Sequence, residues 1–430
     1  MTKQNTSQNT YFDKKKISKY IRKFSFPRLA GSEGEKKAVE LSIQQFEEEG
    51  FNREEIVKET FKFSDFYSTF LIKLIAIINL LFLLLFLLLT YIIVIFSTLV
   101  LIALLIIILL ILRGLRNPET PGFWGTYYGR ISEASNVYAK VPAKDIPEEE
   151  AGNIVISAHL DSKSQTFTTM FRMSTYKVWF LGSVFLGVLY LIKFLLYYGY
   201  ITNLDPIRLE IRIWIITGIL AIVSILLMNL NTHNKSPGAL DNASGMAVVF
   251  GLSSYFVNHP LKHFNLWLVQ FSAEEVGTMG SRVFVNNHEE EFERGNVFQF
   301  NIDLLSGKGL GENNRIEYLR TLGIIPRDKL TSLLGKYLRK AADKKGIDIY
   351  GIHFTTGAHS DSLPFRNRKY DTVDLFTMEA AKWAHTKEDT PDKVDLDVIS
   401  NTCVLLREAV TEMDNHYYQL DKTKNKKIKK

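Results

Sequence analysis

A single cysteine, Cys403, leaves the chain no partner for an internal disulfide, so its 430 residues must be held by burial and hydrogen bonding alone. That shortage suits a reducing compartment. A strong excess of one charge is missing too: 52 Lys and Arg stand against 46 Asp and Glu, a net charge of +6. Much of this surplus lies in the closing stretch DKTKNKKIKK, read as a solvated basic tail over 421–430 that would draw anionic lipid if it lay near a bilayer. So even a balance argues against nucleic acid as a partner. The opening residues, MTKQNTSQNTYFDKKK, have no apolar core, and no secretory leader is expected in them.

What the sequence does contain is long apolar runs. Residues 67–112 are nearly unbroken apolar positions with Lys73 as the only charge. A span needs about 20 residues, so this run is read as a transmembrane hairpin bending near Thr90–Tyr91, although no Gly or Pro marks the bend. A second apolar pair, about 178–198 and 213–230, is separated by GYITNLDPIRLEIR and is read as hairpin 2, over 178–230. Each hairpin returns the chain to its starting side. Lys58, Lys62, Arg113, Arg116, Arg172, Lys177 and Lys235 flank that side, against Arg208 and Arg212 on the other. The excess of positive charge places the soluble mass and both termini in the cytoplasm, on an integral protein of the cell membrane.

With the hairpins removed, residues 1–66, 113–177 and 231–420 remain as one discontinuous domain. ISKYIRKFS and EGEKKAVELSIQQFEEEGF have helical spacing, and EEIVKETFKFSD and SNVYAKVP have strand character. From 153 onward, strands NIVISA, FNLWLVQFSA, VFQFNI and TVDLFTM alternate with helices at 243–257, near 281–292, 328–345 and 395–413. Such alternation predicts an α/β domain with a largely parallel sheet.

Ligands in such sheets lie beyond the carboxyl ends of the strands. After NIVISA come His159 and Asp161; after the LWLVQFSA strand come Glu274 and Glu275; after VFQFNI comes Asp303; and after TVDLFTM comes His385, in HTKEDT. Asp241 lies in SPGALDNASG, just ahead of a helix. Taken singly, each has an ordinary reading: a surface pair, a solvated face, a turn residue, a helix-end histidine or, for Asp241, a helix cap beside a close-packed Gly245. Taken together they converge on one edge of one sheet. Two imidazoles and three carboxylates without a thiolate suit two zinc ions with one carboxylate bridging. Two such ions about 3.5–4 Å apart can hold a hydroxide and polarise a carbonyl. Adjacent extended residues point opposite ways, so one member of the Glu–Glu pair can ligate while the other serves as base. Asp161 is positioned to take the spare ring proton of His159.

The motifs HLD, GALDNASG, EEVGTMGS, NID and HTKEDT, in this order, resemble metallopeptidase family twenty-eight. This is the co-catalytic zinc aminopeptidase family that also contains glutamate carboxypeptidases and glutaminyl cyclases. FPRLAGSEGEKKAVELSIQQFEEEGF is similar to the family's leading helices, and the resemblance covers most of the soluble part and none of the spans. It implies a zinc-exopeptidase-like three-layer αβα sandwich with a mostly parallel mixed sheet. It implies that His159 and Asp303 ligate one zinc and Glu275 and His385 the other, that Asp241 bridges them, and that Glu274 is the general base. It also implies a cis peptide bond after Asp241, rare outside proline. Two departures stand out: Ser362 occupies a position where many relatives carry His, and Gly357 one where some aminopeptidases place an oxyanion-steadying tyrosine. His359, nearby, is the rival to His385 as ligand.

The resulting expectation is a membrane-anchored zinc aminopeptidase acting on peptides, with both hairpins as anchors or as a lid. A carboxypeptidase would need an arginine for the terminal carboxylate, for which Arg282, Arg366 and Arg368 are candidates. A cyclase-type acyl transferase on the same fold would use one zinc. A four-span transporter would place acids within its spans, where the spans as drawn hold only Lys73 and Lys193.

Overall fold

The computed structural model describes residues 11–66, 70–90, 95–100, 102–103, 106, 109, 119, 129–293, 297–307, 315–323, 328–329, 333–354 and 360–417. The chain forms two compact units. One comprises Met1–Phe63, Ser132–Ser164 and His233–Lys430; the other comprises Ser64–Ile131 and Gln165–Thr232. Helix begins at Thr169, ahead of the 178 at which hairpin 2 is expected to start.

The first unit is built on one mixed sheet. Its main strands are β1 (Ile56–Ser64), β2 (Ile131–Val141), β3 (Gly152–His159), β4 (Phe264–Phe271), β5 (Val297–Ile302), β6 (Ile316–Leu322), β7 (Ile349–Phe354) and β8 (Asp371–Phe376). They lie side by side in the order β1-β2-β4-β3-β5-β8-β6-β7, and a two-residue strand, Asp328–Lys329, pairs with β6. The four central strands β4, β3, β5 and β8 are mutually parallel, so their carboxyl ends share one edge. Strand β2 runs antiparallel to β4, and β8 antiparallel to β6.

The helices of this unit are α1 (Lys14–Phe24) and α2 (Glu33–Glu48) at the start of the chain, and further helices between the strands. Those of the second unit are α3 (Leu71–Thr90), α4 (Thr169–Tyr197) and α5 (Pro206–Met228). The first unit continues with α6 (Ser244–Phe256), α7 (Met279–Asn287), α8 (Glu289–Glu293), α9 (Leu334–Lys345), α10 (Leu363–Asn367) and α11 (Leu396–Asn415). Every residue of β3 and β4 is buried, as a sheet covered on both faces requires. Alternate side chains feed two cores. Ile154, Ile156, Leu266 and Leu268 join one with Phe24, Phe46, Phe250 and Leu406; Val155, Trp267, Val269 and Phe271 join the other with Phe284, Phe292 and Phe365. The expected helix–sheet–helix layering is therefore present.

Several elements differ from the sequence reading. Strands β6 and β7 lie outside the sequence reading; β7 forms the sheet edge and none of its residues is fully buried. The helix expected over 328–345 begins at Leu334, and that near 281–292 is two pieces, α7 and α8.

In the second unit, α3, α4 and α5 share apolar contacts among Leu83, Phe86, Leu186, Leu189, Ile213 and Leu220. Asn79 of α3 donates to Ser224 Oγ of α5 at 2.7 Å. Helices α4 and α5, of 29 and 23 residues, are long and apolar enough to cross a bilayer. Leu181, Val184, Leu191, Ile215 and Ile222 stand exposed on them. Helix α3 ends at Thr90, where the bend of hairpin 1 is expected; Tyr91 lies outside the described residues, and helix is described again at 95–100. Helix α5 starts at Pro206 rather than 213, with Asp205 capping the amides of Ile207 and Arg208. Glu210 therefore lies within the helix, outside the span expected from 213, and forms an ion pair with Lys193 of α4.

One buried carboxyl ties the first unit together beneath its functional edge. Glu35 Oε1 accepts Ser135 N at 3.1 Å and Ser272 Oγ at 2.9 Å, joining α2, β2 and the segment after β4. Burial pushes Glu35 up to about 7, against these two hydrogen bonds. An acid whose folded pKa is raised stabilises the fold below its unfolded value and loses that contribution as pH rises through the folded value. Stability should therefore fall between about pH 4.5 and pH 7, by about 3 kcal/mol at most. Melting curves across that range should show the slope in the natural protein and a flatter profile in Glu35→Gln; parallel profiles would remove Glu35 as its source.

Candidate metal centre

The parallel strands deliver their following residues to one edge, and there the expected side chains meet. His159 is the last residue of β3, and Asp303 directly follows β5. Glu274 and Glu275 follow β4, but in a turn rather than in extended chain, after Ala273 at a φ of 58°. Their side chains are separated by that turn and not by strand alternation. His385 itself has a φ of 64° and Leu304 one of 53°. Left-handed backbone at non-glycine residues is uncommon and costs about 1–3 kcal/mol each, a cost typically found at functional sites.

Asp241 sits between the two histidines. His159 Nε2 lies 3.2 Å from Asp241 Oδ1 and 3.2 Å from Asp303 Oδ1. His385 Nε2 lies 3.1 Å from Asp241 Oδ2 and 3.1 Å from Glu275 Oε1. Two clusters result, His159–Asp241–Asp303 and Asp241–Glu275–His385, each with its ligand atoms within 4.8 Å of one another. Asp241 belongs to both, one oxygen turned to each, and does not cap the helix. Asn242 Oδ1 instead accepts Gly245 N at 3.1 Å. The Asp241–Asn242 peptide bond is cis. A Cβ on Gly245 would meet Ile302 O at 2.8 Å, so glycine lets α6 start against the end of β5.

The electrostatics divide these groups. Burial would raise Asp241, but His159 and His385 hold it well below the usual carboxylate range. Glu275, likewise opposed by burial, is brought to about 2 by His385 and Lys163. Burial, joined by Asp303, Glu275 and Asp361, pushes Glu274 well above the usual range. Burial works against protonation of His159 and His385, yet facing carboxylates raise both, His159 strongly.

Asp161 takes a different place from the expected one. His159 Nδ1 lies 3.0 Å from the Asp161 carbonyl oxygen and 3.7 Å from its Oδ1. The carboxylate instead accepts Glu274 N at 3.1 Å and Glu275 N at 3.2 Å, fixing the backbone of the glutamate pair. His359 and Gly357 lie outside the described residues. Ser362 donates to Asp374 Oδ2 at 2.7 Å, within the buried network that anchors the loop beside β8.

Three supporting residues escaped the sequence reading. Asp389 accepts the amides of Leu240 (2.6 Å) and Asp241 (3.1 Å); its place in HTKEDT, four residues after His385, was the available signal. Lys163 Nζ lies 2.8 Å from Glu275 Oε2. Arg28 is fully buried and its guanidinium donates only to carbonyls: Leu160 from Nε (2.6 Å), Phe24 and Pro237 (2.6 Å each) and Phe26 (3.2 Å) from Nη1, and Gly238 from Nη2 (2.8 Å). Arg28 thereby clamps the segment after His159 to the segment before Asp241. Gly238, at a φ of 64°, admits that guanidinium, since a Cβ there would meet Arg28 Nη1 at 2.9 Å.

The donor set fits divalent metal ions. It offers imidazole nitrogens and carboxylate oxygens without thiolate. Glu275 Oε1 is also buried and makes no hydrogen bond among the described residues, although His385 Nε2 lies 3.1 Å away. His159, Asp303 and Asp241 Oδ1 could hold one ion, and Asp241 Oδ2, Glu275 and His385 another.

Comparison with known proteins agrees with this geometry. The model of Peptidase family M28 matches residues 228–410. Aminopeptidase YwaD of Bacillus subtilis (strain 168) is 30% identical over 183 residues, which cover 41% of this chain and 38% of that protein. The match thus spans well under half of the curated relative. Among solved structures, the zinc aminopeptidase BSAP from Bacillus subtilis superposes with a TM-score of 0.54 at 16% identity, covering 93% of this chain and 95% of the other. A glutaminyl cyclase from an Acidobacteriales bacterium gives 0.51 at 15% identity, covering 94% and 96%. The chain shares the fold of these enzymes.

Replacing Arg28 by Met should take a side-chain donor from five carbonyls, of which Phe24 O and Gly238 O keep a backbone donor while Leu160 O and Pro237 O lose theirs, and cost about 3 kcal/mol. Hydrogen exchange should accelerate at 160–162 and 236–238 before it does in β4. Unchanged exchange at both segments would show that the clamp carries no load.

Proposed function

We propose that this chain is a membrane-anchored, zinc-dependent exopeptidase, an aminopeptidase that holds two zinc ions and hydrolyses peptide bonds. The observation that carries the reading is Asp241, buried and shared between two complete ligand clusters. His159 and Asp303 would hold one zinc and Glu275 and His385 the other, with Asp241 offering an oxygen to each. Bound there, the zinc pair supplies Lewis acidity toward a water and a substrate carbonyl. Glu274 collects the proton of the attacking water and returns it to the leaving amine. Burial raises its pKa, the direction that a base of this kind needs. Asp161 aligns Glu274 and Glu275 through their amides.

Two observations favour this over its relatives' other activities. The second cluster is complete, whereas a one-zinc cyclase needs only one. The three arginines available to a carboxypeptidase are engaged: Arg366 with Asp374, Arg368 with Glu289, and Arg282 with Gly277 O and Thr278 Oγ1. For the membrane, α4 and α5 supply the spanning hairpin, and their exposed apolar faces support burial in lipid. We extend this to the 67–112 run as a second hairpin, with the enzymatic unit and both termini cytoplasmic.

Metal analysis should find two zinc ions per chain, and a dipeptide panel with free amino termini should be cleaved. Asp241→Ala should lose both metals. Glu274→Gln should retain them while turnover falls by about 10²-fold or more. Full zinc content in the first variant, or undiminished turnover in the second, overturns the respective role. Flotation with liposomes and protease protection test the anchoring and its sidedness.

A further inference from the structure

The mechanism above makes no use of Lys163, yet this lysine is the only cation other than histidine that forms an ion pair with a cluster carboxylate among the described residues. Its side chain is 13% exposed and that of Glu275 4%, so the pair is poorly screened. Nζ is held at two points, Glu275 Oε2 at 2.8 Å and Glu275 O at 3.0 Å. Both acceptors belong to the same residue. Lys163 therefore does not fasten Glu275 to a third segment; Asp161 already does so by accepting Glu275 N. What Lys163 adds is charge. The neighbouring Asp303 has only His159 as an ion-pair partner among the described residues.

We propose that Lys163 is a positioning residue of an electrostatic kind: it offsets the charge of Glu275 and weakens the hold of the Asp241–Glu275–His385 cluster on its metal. The inference rests on the zinc-site reading given above. Two consequences follow from having an ammonium in place. In the metal-free protein it adds to His385 a second, permanent positive partner for a buried carboxylate. In the metal-loaded protein it opposes a divalent cation that shares the same carboxylate. Removing it should therefore act in opposite directions on the two forms.

The test uses full-length protein in detergent, with Zn²⁺ as the probe. Zinc affinity is measured by competition with a chelator, and melting temperature is measured with and without zinc. For Lys163→Met the expected results are a lower melting temperature without zinc, a larger zinc-induced rise, and tighter binding of one of the two ions by about tenfold. Lys163→Arg keeps the charge and should match the natural protein. Lys163→Gln gives the same comparison should the methionine variant fail to fold. A lysine with a merely structural role would lower both melting temperatures equally and leave affinity unchanged, and that result overturns the proposal. Weaker zinc binding in Lys163→Met also overturns it. Failure of the natural protein to bind zinc is a separate result, which defeats the zinc-site reading itself.

Discussion

The carboxylate of Asp241 must satisfy demands that rarely coexist. It is buried, it is held ionised against that burial, and each of its oxygens faces a different imidazole. Orienting both oxygens requires control of the backbone on either side. Upstream, Arg28 grips the carbonyls of Pro237 and Gly238. At the residue itself, Asp389 takes the amides of Leu240 and Asp241. Downstream, the Asn242 amide donates to Ile302 O at 2.8 Å, tying the loop to the strand that leads into Asp303. The rest of the centre is arranged around a side chain that these three anchors fix in place.

The HTKEDT segment shows how tightly the arrangement is coupled. His385 faces the Asp241 side chain and Asp389 faces its backbone, and both belong to one short loop. Burial and the nearby Asp241 push Asp389 up to about 7, so the amides it accepts matter to its ionisation as well as to geometry. A displacement of this loop would disturb ligand and support together.

The centre was legible in the sequence because its members follow strands whose apolar runs are strong, in VISAH, LVQFS and FQFNI. Strand order then forces convergence without any need to know the turns. What could not be read was whatever depends on backbone path. The carbonyl of Asp161 meets His159, while its carboxylate accepts the amides of Glu274 and Glu275. The glutamate pair diverges through a left-handed Ala273, which no periodicity announces. Arg28 binds carbonyls contributed by segments up to 210 positions away, and a residue type alone says nothing of such partners. The start of α5 was hidden by the charges of Arg208, Glu210 and Arg212, which mask the true helix boundary at Pro206.

The chain leaves the first unit at Ser164 and re-enters it at His233. Those two residues are joined directly, Ser164 Oγ donating to His233 O at 2.9 Å and accepting Lys235 N at 3.0 Å. Seen from the sheet, a detour of nearly seventy residues begins and ends at one doorway no wider than a hairpin. Such a doorway lets the cargo it admits be lengthened, shortened or exchanged over evolutionary time without re-registering a single strand.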